Sequence, residues 1–189
     1  MVVRNPFAVA LSKYKKRDWT WMTNPDAFLR QEYLYNDHLQ PFEGVIRNVG
    51  DDFIERQVLI WAIIHHVPFL QFQPQQVHVI FYEDIVERPE HELLLLFRYL
   101  RPWTADCSTR KALEILHVPS RVTGCAKDIS RIKPSIDQWK KELSAEQIRN
   151  GMKILSYFGL ENLYDDNSRP RKDVIEKFPF AHNNDGISG

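Results

Sequence analysis

The stretch MVVRNPFAVALSKYKK, residues 1–16, predicts the end of a buried strand, a tight turn and a basic helix in direct succession. The two valines are β-branched and suit a strand, and Arg4 and Asn5 form the turn. Pro6 fits the first turn of a helix, where no amide proton is needed. A strand that leads directly into a helix is the building unit of α/β proteins, so this stretch decides the predicted fold class.

A second strand and helix are predicted over residues 77–100, VHVIFYEDIVERPEHELLLLFRYL. Residues 77–84 are rich in Val, Ile, Phe and Tyr, as in strands that are buried on both faces of a parallel sheet, and they end in a charged loop. Pro89 and the acidic residues after it begin the helix. Only two strands are recognisable, so we expect an α/β chain with an incomplete parallel sheet, flanking helices and a mostly helical remainder.

The strongest helix signal lies in residues 52–67, which are apolar over much of the helical circumference. We predict this to be the main core helix, with Ile60, Trp61 and Ile64 buried. Further helices are predicted from Asn24, over residues 104–117 and from Ser144, with a turn-rich link over residues 40–50. The domain is predicted over residues 1–166, followed by a polar, disordered tail over residues 167–189.

Composition excludes several classes of protein. Lys and Arg number 25, and so do Asp and Glu, so no net field attracts nucleic acid or an anionic membrane. No apolar run approaches the roughly 20 residues that span a bilayer, and we predict a cytoplasmic protein. Cys107 and Cys125 stand far apart without a metal-binding spacing, so they are expected to be reduced core thiols, and no metal is expected.

Arg4 and Ser12 are the first candidate site residues, one at the strand end and the other two turns into the helix. An anion at the helix start would gain free amide protons and the Arg4 guanidinium, and phosphate is the natural ligand. Alternatively, Arg4 pairs with a surface carboxylate and Ser12 faces solvent. The basic run that follows is either a solvated face or a wall of the same site: Lys13, Lys15, Lys16 and Arg17.

Tyr82 lies at the carboxyl end of the second predicted strand, where open α/β sheets bind ligands. Its ring either contacts a base or anchors the strand. Glu83 and Asp84 are interpreted as helix caps rather than acid–base groups, because adjacent strand residues point to opposite faces. His65 and His66 are assigned a structural role, since adjacent helical residues diverge by about 100° and cannot share a metal ion.

Three segments resemble, in order, the cytosolic-type sulfotransferases that use 3'-phosphoadenosine 5'-phosphosulfate, and the bacterial-style members most of all: VVRNPFAVALSKYKK, VIFYEDIVERPEHELLLLFRYL and DQWKKELSAEQI. The resemblance implies a P-loop-NTPase-like fold. It implies that Arg4 and Ser12 hold the donor's 3'-phosphate and that Tyr82 lies near the adenine. It also implies 3'-phosphate contacts from Arg131 and Lys133, although the family's usual Arg-Lys-Gly is absent there.

The resemblance implies transfer of a sulfo group from this donor to an acceptor hydroxyl or amine on a small molecule or glycan. The family's phosphosulfate loop and catalytic base precede the Arg motif, and this sequence has no Gly-Lys step. We therefore expect a C-terminal portion that binds the nucleotide weakly without transferring sulfate. A non-catalytic nucleotide-binding or interaction module is the alternative. Nucleic acid is not an expected partner, and a homo-oligomer stays open.

Overall fold

Two short parallel strands organise the part of the chain that the computed structural model describes, which is residues 1–16, 22–72, 76–100 and 136–178. Strand β1 (Val2–Val3) pairs with β2 (Ile80–Phe81), with Val2 opposite Ile80. The Ile80 N–H also donates to the Met1 carbonyl at 2.9 Å, which extends the pairing by one bond. A small parallel sheet among helices agrees with the predicted α/β class.

Ten α-helices surround this pair within the described residues. They are α1 (Pro6–Lys15), α2 (Asp26–Leu29), α3 (Glu32–Leu34), α4 (Glu43–Arg47), α5 (Phe53–Gln71), α6 (Tyr82–Glu87), α7 (Pro89–Leu100), α8 (Gln138–Glu142), α9 (Ala145–Tyr157) and α10 (Lys172–Ile175). A π-helical turn (Tyr35–Leu39) and a 3-10 turn (Gln40–Phe42) join α3 to α4. None of these described helices is long and apolar enough to cross a membrane.

Helix α1 begins as its sequence predicts. Asn5 is the N-cap, and its Oδ1 accepts from the N–H groups of Phe7 at 3.0 Å and Ala8 at 3.2 Å. Pro6 occupies the first helical position, where it has no donor to satisfy. Asn5 is only 2% exposed, so this cap is part of the core. The predicted succession of strand, turn and helix is confirmed.

Helix α5 is the central helix, with α1 and α9 packed against it. Asp52 caps it by accepting from the Glu55 N–H at 3.0 Å, as the predicted start requires. Ile60 and Trp61 are buried, at 0% and 4% exposure. The prediction that Ile64 is also buried is wrong, because it is 41% exposed. It lies on the side of α5 that lines a surface groove.

The strand that leads to Tyr82 is shorter than predicted. Only Ile80 and Phe81 form it, and the expected charged loop is the first turn of α6. Acidic side chains stabilise a helix start, and Asp84 adds an i,i+4 ion pair with Arg88 at 2.7 Å. Local helix-favouring charge therefore outweighs the strand pattern after Phe81.

The single helix predicted from Asn24 is broken, and the predicted link over residues 40–50 is partly helical. Helices α2 and α3 are short, and the chain tightens into the 3-10 turn at Gln40 before α4. The break in the predicted helix lies at Gln31, whose backbone is extended (φ −89°, ψ 97°) between α2 and α3. The aromatic and acidic segment thus forms short turns instead of one long helix.

The C-terminal segment follows its sequence pattern at α9 and departs from the predicted disorder after residue 166. Ser144 and Gln147 form the predicted capping box of α9, and Gly159 at φ +69° follows the helix end. The expectation of a disordered tail does not hold for residues 167–178. Ser168 is 0% exposed, and its Oγ accepts from the Trp139 indole N–H at 2.9 Å. Hydrogen bonds to core side chains, which composition does not reveal, hold this segment.

Several predictions fall outside the described residues. These are the helix over residues 104–117, the state of the two cysteines, Cys107 and Cys125, and the last part of the tail, residues 179–189.

Candidate functional site

Arg4 and Tyr82 meet at the carboxyl edge of the parallel pair. Arg4 directly follows β1, and Tyr82 directly follows β2, so the parallel register brings both to the same edge. The Arg4 guanidinium carbon lies 4.4 Å from the centre of the Tyr82 ring. Both side chains are half-buried. A guanidinium over an aromatic face is a favourable cation–π arrangement, and it presents both groups on one surface.

Helix α5 holds the backbone of Arg4. The Trp61 indole N–H donates to the Arg4 carbonyl at 3.0 Å. The Arg4 Nε is buried and has no hydrogen-bond partner among the described residues. Arg4 also forms no ion pair within that part of the chain, so the alternative of a surface carboxylate partner is not seen there. The Arg4 guanidinium therefore has N–H donors that are available to a ligand.

Arg4 also lines a groove of about 160 Å³ between α1 and α5. Lys13 adds a second cation to this groove, and its Nζ donates to the Gln57 Oε1 at 2.9 Å. Burial lowers the pKa of the Lys13 ammonium. The remaining lining is mainly aliphatic or aromatic: Val2, Val9, Ile60, Trp61, Ile64 and His65. The groove is therefore mainly apolar and contains two cationic side chains, Arg4 at the strand end and Lys13 on α1.

Ser12 does not join this cluster. Its side chain is exposed on α1 and is absent from the lining of the groove, so the structure does not bring it to the pocket that Arg4 lines. The start of α1 also lacks the free amides that we expected. Asn5 takes the N–H groups of Phe7 and Ala8 with its side chain, and its carbonyl accepts from the Val9 N–H at 3.0 Å. An anion here gains the Arg4 guanidinium but not the helix amides.

Glu83 has a role that the sequence interpretation missed. Its Oε1 accepts from the Asn5 N–H at 2.9 Å, across the gap between the two strand ends. It is 1% exposed, and the Tyr164 hydroxyl donates to its Oε2 at 3.4 Å. Burial raises the pKa of Glu83, against the lowering effects of the Asn5 N–H and the Arg4 charge. No sequence signal indicates this contact, because it joins two segments that are 78 residues apart.

His65 lies beside the same strand end. Its Nδ1 donates to the Trp61 carbonyl at 2.8 Å, and its ring stacks on Trp61 with 4.1 Å between centroids. Burial lowers the pKa of His65 to about 4, so the ring is neutral near pH 7. His66 instead meets the edge of Phe42 at 4.9 Å. The two histidines make separate packing contacts, in keeping with the structural role assigned to them.

Two predicted site residues, Arg131 and Lys133, lie outside the described residues. Trp139, which follows them, is described and stacks on Phe7 of α1 with 4.8 Å between ring centroids. Within the described ranges, no group of three or more His, Cys, Asp or Glu has an arrangement that could hold a metal ion.

Comparison with protein families gives a match over the first part of the chain. The family model described as a sulfotransferase domain matches residues 1–115. This range contains β1, α1, α5, β2 and the Arg4–Tyr82 pair. Searches of curated proteins and of solved structures returned no match. Because the family model covers more than half of the 189 residues, the chain belongs to the sulfotransferase domain family.

Proposed function

We propose that this chain contributes the 3'-phosphate side of the donor site in a sulfotransferase. The enzyme would move a sulfo group from 3'-phosphoadenosine 5'-phosphosulfate to an acceptor hydroxyl or amine. The observation that carries the proposal is the Arg4 guanidinium over the Tyr82 ring, with a buried Nε that has no partner among the described residues. Membership in the sulfotransferase domain family supports the reaction class.

The chemistry of the pair fits a phosphorylated purine nucleoside. A guanidinium offers planar, forked donors that match phosphate oxygens, and it stays charged at every physiological pH. The Tyr82 ring offers an aromatic surface and a hydroxyl to a base. Their place at the carboxyl edge of parallel strands is where α/β sheets bind ligands, which is consistent with a P-loop-NTPase-like domain.

The proposal includes four other site residues, which are Lys13, Ser12, Arg131 and Lys133. Ser12 would contact the 3'-phosphate through the family resemblance alone, because it does not line the groove that Arg4 lines. Arg131 and Lys133 would add cations through the family resemblance alone. Lys13, which lines the groove beside Arg4, is a further cation for the same phosphate.

In the proposed reaction, the donor supplies sulfur bonded to a phosphate oxygen. That bond breaks as the acceptor oxygen or nitrogen bonds to sulfur, and the acceptor proton passes to a base that is not identified in this chain. Arg4 and Tyr82 would orient the nucleotide that leaves. Positioning of this kind lowers the entropic part of the barrier, so the binding residues contribute to the rate as well as to affinity.

Calorimetric titration tests the binding half of the proposal. The purified chain is titrated with adenosine 3',5'-bisphosphate and with adenosine 5'-monophosphate, which lacks the 3'-phosphate. A charge-assisted contact is worth roughly 1.5–3 kcal/mol, so Arg4→Ala should weaken bisphosphate binding by about 10- to 150-fold. Binding of the monophosphate should change little. Arg47→Ala is the matched control, because Arg47 pairs with Glu43 on α4.

Equal affinities of wild type and Arg4→Ala for the bisphosphate would contradict the proposal. A second assay tests whether the chain transfers the sulfo group by itself. It gives the chain labelled donor with phenols, alcohols, amines and sugars, and it measures labelled product. We expect nucleotide binding that depends on Arg4 without product, and product that disappears in Arg4→Ala would show that the chain is catalytic by itself.

A further inference from the structure

The two strand ends are joined by a buried contact beneath the Arg4–Tyr82 pair. Arg4 and Asn5 are consecutive, and so are Tyr82 and Glu83. On the outer side, the Arg4 guanidinium lies over the Tyr82 ring at 4.4 Å. On the inner side, the Asn5 N–H donates to the Glu83 carboxylate at 2.9 Å. Two contacts, one on each side, therefore join the Arg4–Asn5 dipeptide to the Tyr82–Glu83 dipeptide.

The inner contact satisfies a donor that has no other partner within the described structure. Strand β1 ends at Val3 and α1 begins at Pro6, so the Asn5 N–H belongs to neither ladder. The Asn5 side chain is occupied by the helix cap. Because Asn5 is 2% exposed, water cannot replace the carboxylate easily. A buried N–H without an acceptor is unfavourable, so the turn geometry depends on Glu83.

We propose that Glu83 is a positioning residue, whose carboxylate fixes the turn after Arg4 so that the guanidinium stays over Tyr82 and is presented to a 3'-phosphate. Presentation of the guanidinium to a 3'-phosphate rests on the proposed function. The fixed geometry of the turn does not depend on that function. Glu83 touches no ligand in this account and acts through Arg4 and Asn5. The surrounding groups support a held carboxylate: the Arg4 charge attracts it, and the Tyr164 hydroxyl donates to its other oxygen at 3.4 Å.

Three substitutions separate the parts of this contact. Glu83→Ala removes the acceptor. Glu83→Gln keeps an acceptor oxygen of the same reach and removes the charge. Glu83→Asp keeps the charge and withdraws the oxygen by one methylene. Glu87→Ala is the matched control, because Glu87 lies on the same short helix but pairs with Arg169 at the surface, at 2.6 Å.

The first measurement follows the Arg4 side chain directly and needs no nucleotide. In protein labelled with ¹⁵N-arginine, a ring current from Tyr82 should displace the Arg4 Nε–H signal, which Arg4→Lys identifies by its loss. We expect Glu83→Ala to move this signal to the position of exposed arginines, whereas Glu83→Gln and Glu87→Ala leave it in place. An unmoved signal in folded Glu83→Ala would overturn the proposal, and so would a moved signal in Glu83→Gln.

If Glu83→Ala does not fold, the Arg4 signal of Glu83→Asp tests the positioning role of Glu83 instead. It should also move the Arg4 signal, and an unmoved signal in this variant contradicts the proposal.

The second measurement is the ratio of affinities for adenosine 3',5'-bisphosphate and adenosine 5'-monophosphate. A general loss of stability weakens the binding of both nucleotides, whereas misplacement of Arg4 weakens only the binding of the bisphosphate. We expect Glu83→Ala to reduce the ratio at least about 10-fold, the lower end of the effect expected for Arg4→Ala. Glu83→Gln should restore it. If wild type does not distinguish the two nucleotides, the proposed function fails, while the Arg4 signal still decides the role of Glu83.

Discussion

At the scale of single residues, Asn5 determines what the start of α1 can bind. A helix start normally offers free amides to an anion, which is why phosphate was expected there. Here the side chain and carbonyl of Asn5 take the N–H groups of Phe7, Ala8 and Val9. The site must therefore rely on side chains, and Arg4 is the cation placed at the strand end. One buried capping residue thus changes the chemistry of the candidate site.

His65 gives a prediction about pH. Burial lowers its pKa in the folded chain to about 4, against 6.5 as the ordinary value. Between these values the unfolded chain binds the extra proton, so the free energy of unfolding should fall as pH drops from 6.5 to about 4. The loss is about 3 kcal/mol at most. His66 and His78 shift in the same direction, so wild type is compared with His65→Gln.

Urea unfolding at a series of pH values measures this difference. The account predicts that wild type loses more stability than His65→Gln over that interval. Parallel curves for the two proteins would show that His65 is not buried as described.

At the scale of elements, α5 supports the strand end as well as the core. Trp61 is 4% exposed and donates to the Arg4 carbonyl, so Trp61→Ala should destabilise the chain by roughly 3–5 kcal/mol. Ile64, one turn further on, is 41% exposed, and Ile64→Ala should cost under about 1 kcal/mol. Chemical denaturation measures both. If the two variants lost equal free energies of unfolding, the groove face of α5 would have to be covered in solution.

The packing of α9 on α1 gives a second prediction at this scale. A Cβ on Gly151 would overlap Cε1 of the Phe7 ring, which is itself stacked on Trp139. Gly151→Ala should therefore destabilise the chain, because overpacking costs roughly 1–3 kcal/mol, against about 1 kcal/mol gained in helix propensity. Gly44→Ala on α4 is the control. Nothing lies within 4 Å of its Cβ position, so it should stabilise the chain by about 0.5–1 kcal/mol.

Thermal or urea unfolding of the two glycine variants compares them directly. Stabilisation of the chain by Gly151→Ala would contradict the close contact of α9 with Phe7.

At the scale of the whole molecule, the sequence predicts what depends on neighbouring residues. Asn5 and Pro6 specify the start of α1, and Ser144 and Gln147 specify that of α9. The patterns of β-branched and aromatic residues predict the two strands. Because the ends of parallel strands lie at one edge of the sheet, Arg4 and Tyr82 are brought together there.

Other contacts between distant segments were not predictable, because no strand, cap or turn pattern indicates them. The inward hydrogen bond of Glu83 joins residues 78 positions apart, and no spacing rule indicates it. The exposure of Ile64 depends on which helices pack against α5. Ser168 looks like part of a polar tail, yet it is buried beside Trp139. The position of Ser12 away from the groove likewise follows from the rotation of α1, which the motif does not specify.

The central claim is that Arg4, held over Tyr82, binds a 3'-phosphate. Phosphorus NMR tests it most directly, because adenosine 3',5'-bisphosphate gives separate 3' and 5' resonances. On titration with the wild-type chain, the account predicts that the 3' resonance shifts. Arg4→Ala should greatly reduce this shift at the same concentrations, while Arg47→Ala preserves it. A 3' resonance that does not respond to the wild-type chain, or that responds equally to Arg4→Ala, would contradict the account.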